Sequence, residues 1–339
     1  MSVIKEVANK SGVSPSTVSL VLNNKPGISP QTRKRVLSAL DALGFHDYIP
    51  RGTAKNKKQT IQFVLYKKHG QVVSDTPFFA DVLEGVEGQA KKRGYTLCVT
   101  YVNERSELSE QISGLAASGC IGFILLATEM NHNDIDVFAR LNLPFVVLDS
   151  YFEEIDQNIV VINNAQGAFL ATCHLCEMGH TSIGHLKSRV PINNFYERKD
   201  GYKKALKYRG ISYHANTVFE LGSSVETAYA DMKRHLADGR KLPSAFFADN
   251  DIIAIGAIRA MREAGVHIPQ DVSVVGFDDI PMCEMLDTPL TTIRVPKRYI
   301  GKLALDRLVE ILQDGKHAHI KIEVCTELIV RESVREVIR

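Results

Sequence analysis

No apolar run in the chain approaches the ~20 residues that a membrane span needs, and the first residues lack the apolar core of a secretory leader. A cytoplasmic protein is therefore expected. There is no P-loop glycine pattern, no G-x-S-x-G elbow and no G-x-G-x-x-G following a strand, so three common catalytic or nucleotide-binding devices are missing. Cysteine is sparse. The six thiols (98, 120, 173, 176, 283, 325) sit mostly inside apolar periodic segments, where a free thiol behaves as a small hydrophobe. Cys173-x-x-Cys176, with His174 and His180 nearby, is the nearest approach to a metal set. No second Cys or His pair completes it, and the segment reads as one continuous helix, so neither metal nor cofactor is expected.

Net charge is also nearly absent, with 41 Lys and Arg against 39 Asp and Glu, but that balance hides an asymmetry. Residues 1–60 carry ten basic against three acidic side chains, whereas the other 279 residues carry 31 against 36. A basic head on a mildly acidic body is the footprint of a phosphate-binding module joined to a domain with other business. With 339 residues, the chain exceeds what one core usually covers, and 45% hydrophobic content suffices for two or three domains.

Residues 3–24 read as a helix-turn-helix, a unit that lays one short helix in the DNA major groove. Ile4, Val7 and Ala8 give a buried helical stripe, and small Ala8 lets a second helix cross closely. Gly12 supplies the turn. Ser14 with Pro15 behind it is the preferred N-cap and N1 pair, and Val18, Val21 and Leu22 form the inner face of the second helix. Ser29-Pro30 repeats the device for a third helix through Arg33, Val36, Leu37, Leu40 and Leu43, stopping at Gly44. The same pattern also suits an ordinary three-helix bundle that never meets DNA.

From residue 60 short apolar runs alternate with amphipathic segments, which predicts parallel sheets with helices on both faces. The runs are Ile61 to Tyr66, Tyr95 to Tyr101, Ile121 to Ala127, Pro144 to Asp149, Ile183 to Leu186, Ser244 to Ala248, Val272 to Gly276 and Ile320 to Ile329. Eight such units overfill one open sheet, so two α/β lobes with a cleft between them fit better, and ligands of such sheets bind beyond the carboxyl ends of the strands. Asp149, Asn250, Asp251, Asp278 and Asp279 fall at those ends, and Arg198 lies at the start of a helix. Taken singly, each aspartate reads more readily as a plain helix N-cap than as a ligand contact, and it is their convergence on one end of both lobes, together with an Arg, that points to a ligand site. Carboxylates, an amide and a guanidinium without a nucleophile or metal suit hydrogen bonding to polar ligand atoms, the work of a sensor and not of an enzyme.

At this point the chain resembles the lactose-repressor (LacI) family of bacterial transcription regulators over essentially its full length. The head segment, Pro77-Phe78-Phe79, Gly179-His180, Arg198 with Gly201-Tyr202, Asn250-Asp251-x-x-Ala254-x-Gly256, Val274-Val275-Gly276-Phe277-Asp278-Asp279 and Pro289-Leu290-Thr291-Thr292-Ile293-Arg294 match in order. The resemblance implies a helix-turn-helix head (1–46), a hinge (47–60) and a two-lobed core like that of periplasmic sugar-binding proteins (61–339). Lobe 1 would take residues near 61–160 and 292–319, and lobe 2 those near 161–291 and 320–331. It implies a homodimer on a palindromic operator, regulated by a sugar or nucleoside-type molecule in the cleft. Phe78, Phe79, Asp149, Arg198, Asn250 and Asp278 match its effector contacts, with Arg198 expected at the cleft rim. A solute-binding transport protein shares the core but has no use for residues 1–60. A nucleotide- or sugar-processing enzyme would need a catalytic set that is missing.

On the DNA side the resemblance gives Pro15 and Ser16 the base edges and Thr17 and Ser19 the phosphates, beside the capping Ser14. Asn23, Lys25, Ser29, Thr32, Arg33, Arg51 and Lys55 complete the candidate contacts. Leu20 departs from the Arg common in relatives: it cannot make a bidentate contact to guanine but can meet a thymine methyl. Asn163 stands where relatives carry Asp, a change expected to be structural. The hinge departs most, since Pro50 and Gly52 stand where relatives form a helix whose Leu pries into the minor groove. A basic linker tracking phosphates is expected, with Ile49 as the alternative wedge. Only about nine residues follow the last apolar run, too few for an added tetramerising helix.

Overall fold

A computed structural model describes residues 3–22, 25, 27–45, 59–73, 77–104, 108–314 and 318–337. Contacts divide the chain into two units, Met1–Lys58 and Gln59–Arg339. Residues 47–58 of the predicted hinge, with Ile49, Arg51 and Lys55, lie outside the described residues, as does Asn23, and the last residue assigned to the hinge, Thr60, already belongs to the first strand.

The first unit is three helices, α1 (Val3–Ser11), α2 (Pro15–Leu22) and α3 (Pro30–Ala42). Val7 and Ala8, Val18 and Val21, and Val36, Ala39 and Leu40 bury against one another, with Ile4, Leu22, Leu37 and Leu43 half-buried around them. Gly12 takes φ +64° between α1 and α2, a left-handed turn that suits a residue without Cβ. Arg35 Nη2 donates to Ser11 O at 2.7 Å and ties that turn to α3. Both expected caps form: Ser14 Oγ accepts from Thr17 N and Ser29 Oγ from Thr32 N, each at 3.2 Å.

The second unit alternates β1 (Thr60–Lys67), α4 (Phe78–Arg93), β2 (Thr96–Asn103), α5 (Leu108–Ala117), β3 (Gly122–Leu126), α6 (His132–Ala139), β4 (Phe145–Leu148) and β5 (Ile159–Ile162). Then come α7 (Asn164–Glu177), β6 (Ile183–Ser188), α8 (Asn193–Tyr208), β7 (Val218–Leu221), α9 (Val225–Ala237), β8 (Ala245–Ala248), α10 (Asp251–Glu263), β9 (Ser273–Val275) and α11 (Met282–Met285). The chain finishes with β10 (Thr292–Arg294), α12 (Lys297–Asp314), β11 (Lys321–Val324) and β12 (Glu327–Ile329). One parallel sheet runs β11-β5-β4-β3-β1-β2 and a second runs β7-β6-β8-β9, each the centre of a lobe. The continuous apolar runs of β3, β4 and β5 are buried throughout, as strands covered on both faces must be.

Two features depart from the sequence pattern. Residues 320–329 are not one strand of the second lobe: β11 joins the first sheet beside β5, and β12 pairs antiparallel with β10. The break is at Thr326, whose N and Oγ1 both donate to Gln166 Oε1, at 3.1 and 2.8 Å, and turn the chain. Three short strands, β5, β7 and β10, are additional to the eight apolar runs. In the first lobe α12 and α4 cross at glycine contacts. A Cβ on Gly85 would sit 2.1 Å from Arg298 O, and one on Gly301 2.2 Å from Val82 O.

Candidate functional site

Between the lobes lies a narrow cavity of about 20 Å³, reached by the carboxyl ends of both sheets. The first lobe contributes Val72, Phe78 and Phe79 at the start of α4, Thr128 after β3 and Asp149 after β4. The second contributes Ile192, Asn194, Phe195 and Arg198 around the start of α8, Asn250 after β8 and Asp278 after β9. The structure thus brings together in one space all six residues nominated from the sequence. Phe78 and Phe79 meet edge to face at 5.1 Å, which fixes the ring that the cavity sees.

The cavity is built under strain. Asp149 (φ +68°) and Asp278 (φ +110°) sit in left-handed backbone at the ends of their strands, a conformation that costs a non-glycine residue on the order of 1–3 kcal/mol. Each is pinned through its amide, Asp149 N to Val160 O (3.0 Å) and Asp278 N to Ile293 O (2.8 Å). Thr128 Oγ1 donates to Asp149 Oδ2 (2.6 Å), and Asn194 Nδ2 reaches Asp149 Oδ1 across the cleft (3.3 Å). Burial pushes Asp149 up to about 7, against the Thr128 hydrogen bond and the Arg198 charge. Burial also raises Asp278, although Arg198 and Lys297 oppose the shift.

Arg198 is not at a rim. It is 3% exposed. Its Nε donates to Asn164 Oδ1 (2.9 Å), Nη1 to Asp249 O (2.5 Å) and Nη2 to Asp278 Oδ1 (3.3 Å), while the guanidinium lies 3.7 Å over the Phe277 ring. The neighbours in its motif explain the depth. A Cβ on Gly201 would meet Ala165 O at 2.1 Å, so α8 lies hard against α7, and Tyr202 Oη donates to Ile183 O (2.8 Å) beneath it. Asn250 spends its Oδ1 on capping α10 through Ile253 N (2.9 Å), so it is a cap and a cavity wall together.

Asp251 and Asp279 do not reach the cavity. Asp251 accepts from Thr292 Oγ1 (2.5 Å) and Ile280 N (3.0 Å), and burial with the neighbouring Asp278 charge raises it to about 7. Asp279 pairs with Arg294 (2.7 Å) and Arg331 (2.8 Å). Asn163 caps α7 through Gln166 N (2.7 Å) and donates to Glu323 (2.9 Å), a structural part. The Cys173–Cys176 segment lies within α7, burial pushes the Cys176 thiol up to about 11, and the His180 ring is held by Ser244 and Ser273 at 2.9 and 3.0 Å.

In the head, Ser14, Pro15, Ser16 and Leu20 are exposed and Thr17 and Ser19 half-buried. Ser14 Oγ lies 2.7 Å from Ser16 Oγ and 2.9 Å from Thr17 Oγ1, so a hydroxyl cluster marks the first turn of α2. Leu20, one turn after Ser16, holds an apolar side chain 40% exposed. Ser29 Oγ donates to Thr32 Oγ1 (2.9 Å), and Lys25 is exposed. Arg33 acts as a brace, because its Nη2 donates to Lys25 O at 2.9 Å and its Nη1 lies 3.5 Å from Val21 O, which fastens the segment after α2 to α3.

Residues 3–48 match the model of bacterial regulatory proteins of the lacI family, and residues 172–334 match that of a periplasmic binding protein-like domain. The chain is 34% identical over 350 residues to the HTH-type transcriptional repressor PurR of Photobacterium profundum, covering 99% of both chains. With PurR of Haemophilus influenzae it shares 31% over 345 residues and all of both chains. The chain belongs to the LacI family. Among solved structures, the transcriptional regulator CelR–cellobiose complex is similar at TM-score 0.74 and 26% identity, covering 98% of this chain and 100% of that one. The lac repressor dimer bound to operator and the anti-inducer ONPF is similar at TM-score 0.73 and 26% identity, covering 97% and 98%.

As a LacI-family member the protein is a DNA-binding transcriptional repressor whose activity a small molecule modulates, and the named relatives are repressors, not enzymes. Sequence reasoning passed over five cavity residues, Val72, Thr128, Ile192, Asn194 and Phe195. Thr128 carried a usable signal, since it follows an apolar strand as Asp149 does. Asn194 and Phe195 stand within one turn of Arg198 on the same helix, which is enough to flag them.

Proposed function

We propose that the protein works in the cytoplasm as a homodimer, reads a palindromic operator through the outer face of α2, and takes an uncharged sugar or nucleoside-type metabolite into the interlobe cavity. The observation that carries the ligand class is the make-up of that cavity. Among the described residues Arg198 is the single cation lining it, and that charge already faces Asp278 with Asp149 close by. A phosphorylated ligand would bring two further negative charges beside Asp149 and Asp278, carboxyls whose charged forms burial already disfavours. A neutral ring instead finds aromatic surface at Phe79 and Phe195 and hydrogen-bonding partners for its hydroxyl or ring-nitrogen groups. The one-turn cluster of hydroxyls on α2, with exposed Lys25 and Lys34 nearby, supports the DNA side. Two-fold proteins match two-fold sites, and one head reads too few base pairs to be selective.

A thermal-shift panel of neutral sugars, nucleosides, nucleobases and the matching phosphates tests the ligand class. A ligand at ~100 times its Kd adds ~2.7 kcal/mol of stability. One neutral class should stabilise the protein and its phosphorylated counterpart should not. Stabilisation by phosphates alone would overturn the reading.

A further inference from the structure

Glu129, in the loop after β3, is 3% exposed, and its carboxylate faces no Lys or Arg side chain within ion-pair distance among the described residues. The His69 ring is its titratable neighbour, with Nδ1 3.3 Å from Oε1. A buried carboxylate without a fixed cation is costly. Here backbone amides satisfy it: Oε2 accepts from Lys68 N (3.0 Å), His69 N (3.1 Å) and Gly70 N (2.8 Å), and Oε1 from Val72 N (2.9 Å) and Val73 N (3.2 Å). Burial pushes the carboxyl up, but the bonds from Val72, Gly70, Val73 and His69 outweigh it and leave the group below its ordinary range. Gly70 adopts φ +72°, which lets successive amides point the same way and form a nest. The segment 68–73 belongs to no helix or strand, so this one side chain takes the place of a ladder.

The nest has cargo. Val72 packs with Val190, Ile192 and Phe195 in a cluster separate from the main cores of either lobe. Those three partners all belong to the second lobe, and Val72, Ile192 and Phe195 also line the cavity. The segment cinched by Glu129 is therefore a point where the first lobe grips the second beside the ligand space. We propose that Glu129 is a positioning residue that anchors an interlobe latch, holding residues 68–73 so that Val72 closes the cavity against Val190, Ile192 and Phe195. The role of the latch in ligand response rests on the cavity being the effector site; its existence does not.

Hydrogen exchange followed by mass spectrometry on the full-length, ligand-free protein tests it. In Glu129→Gln, which presents an amide N–H to donors, residues 68–73 should exchange at least tenfold faster, and so should residues 190–195 of the other lobe. The β1 and β3 amides should hold. In Val72→Ala the nest is intact, so 68–70 should stay protected while 190–195 loses protection. This second variant keeps the proposal testable if the first fails to fold. Faster exchange confined to 68–73 in Glu129→Gln, or unchanged exchange at 190–195 in Val72→Ala, overturns the latch. Because no ligand is added, these outcomes are independent of the thermal-shift panel, and an empty panel would overturn the effector reading alone.

Discussion

The face of α2 and the interlobe cavity are two recognition surfaces built in opposite ways. On α2 the candidate contacts Ser14, Ser16 and Leu20 stand in water, and the hydroxyls bond within their own turn. In the cavity Asp149, Arg198, Asn250 and Asp278 are buried, cross-linked and in two cases strained. A surface that meets phosphates and base edges exchanges water for DNA with little rearrangement. A cavity that holds charges away from water must satisfy them before any ligand arrives, so its cost is carried by the fold itself. Substitutions on the first surface should alter binding alone, and those in the second should alter stability and binding together.

The largest effect expected from this contrast is on the head as a whole. Deleting residues 1–58 should abolish operator binding in fluorescence anisotropy while the remaining unit still unfolds cooperatively. Operator affinity in that truncation would break the comparison. Next comes Arg198→Ala, which leaves the Asp278 carboxylate and the Asn164 amide buried without their partner and should cost about 3–5 kcal/mol in urea unfolding. A destabilisation under ~0.5 kcal/mol, ordinary for a surface residue, would show that the guanidinium is not integral to the core.

A pH series sharpens the same point. Asp149, held near 7 in the folded protein against an ordinary value of 3.8, keeps a proton that the unfolded chain loses between those two values. The folded state binds more protons across that window, so Asp149 makes unfolding free energy fall as pH rises from about 4 to about 7, by on the order of a few kcal/mol. Asp149→Asn removes this contribution, so the variant's stability should decline less steeply than the parent's over that range; parallel curves would count against it. On the head, Lys34→Ala should reduce the steepness of the logarithmic salt dependence by about 0.9 for each phosphate it no longer neutralises, leaving stability unchanged. The smallest effect is that of Leu20→Ala: under ~0.5 kcal/mol on folding, with a weakened preference for thymine at one operator position in competition binding.

The head was legible because its signals are local. Ser14-Pro15, Ser29-Pro30, Gly12 and Gly44 act within four residues of themselves, and the apolar stripes between them point at one another. The cavity was legible only in part as a set of strand ends, since Asp149, Asn250 and Asp278 line it while Asp251 and Asp279, equally placed in the sequence, turn to Thr292 and to Arg294 and Arg331 instead. What escaped depends on distant chain. β11 lies beside β5 because Asn158 Oδ1 accepts from Ile320 N and Arg307 Nε, a junction of three remote segments. Gly201 lets α8 close on α7, but the partners that hold the Arg198 guanidinium there, Phe277, Asp249 and Asn164, come from remote segments that no local spacing names. β5 and β7 are four residues each, too short for periodicity to separate from a loop.

The left-handed Asp149 and Asp278 set a trap for anyone improving this protein in the laboratory. Glycine at either position would relieve backbone strain, yet at 278 it would strand the buried Arg198 guanidinium and at 149 the Thr128 hydroxyl and the Asn194 amide, so a library screened for heat resistance alone will enrich it only where the strain relieved exceeds those losses. Any such clone would lose a carboxylate that lines the proposed effector cavity, and its operator binding should no longer respond to the metabolite. Counter-screening every survivor for ligand response would separate the two traits, and disagreement between the screens at positions 149 and 278 would itself mark which residues the regulator keeps at the expense of its own durability.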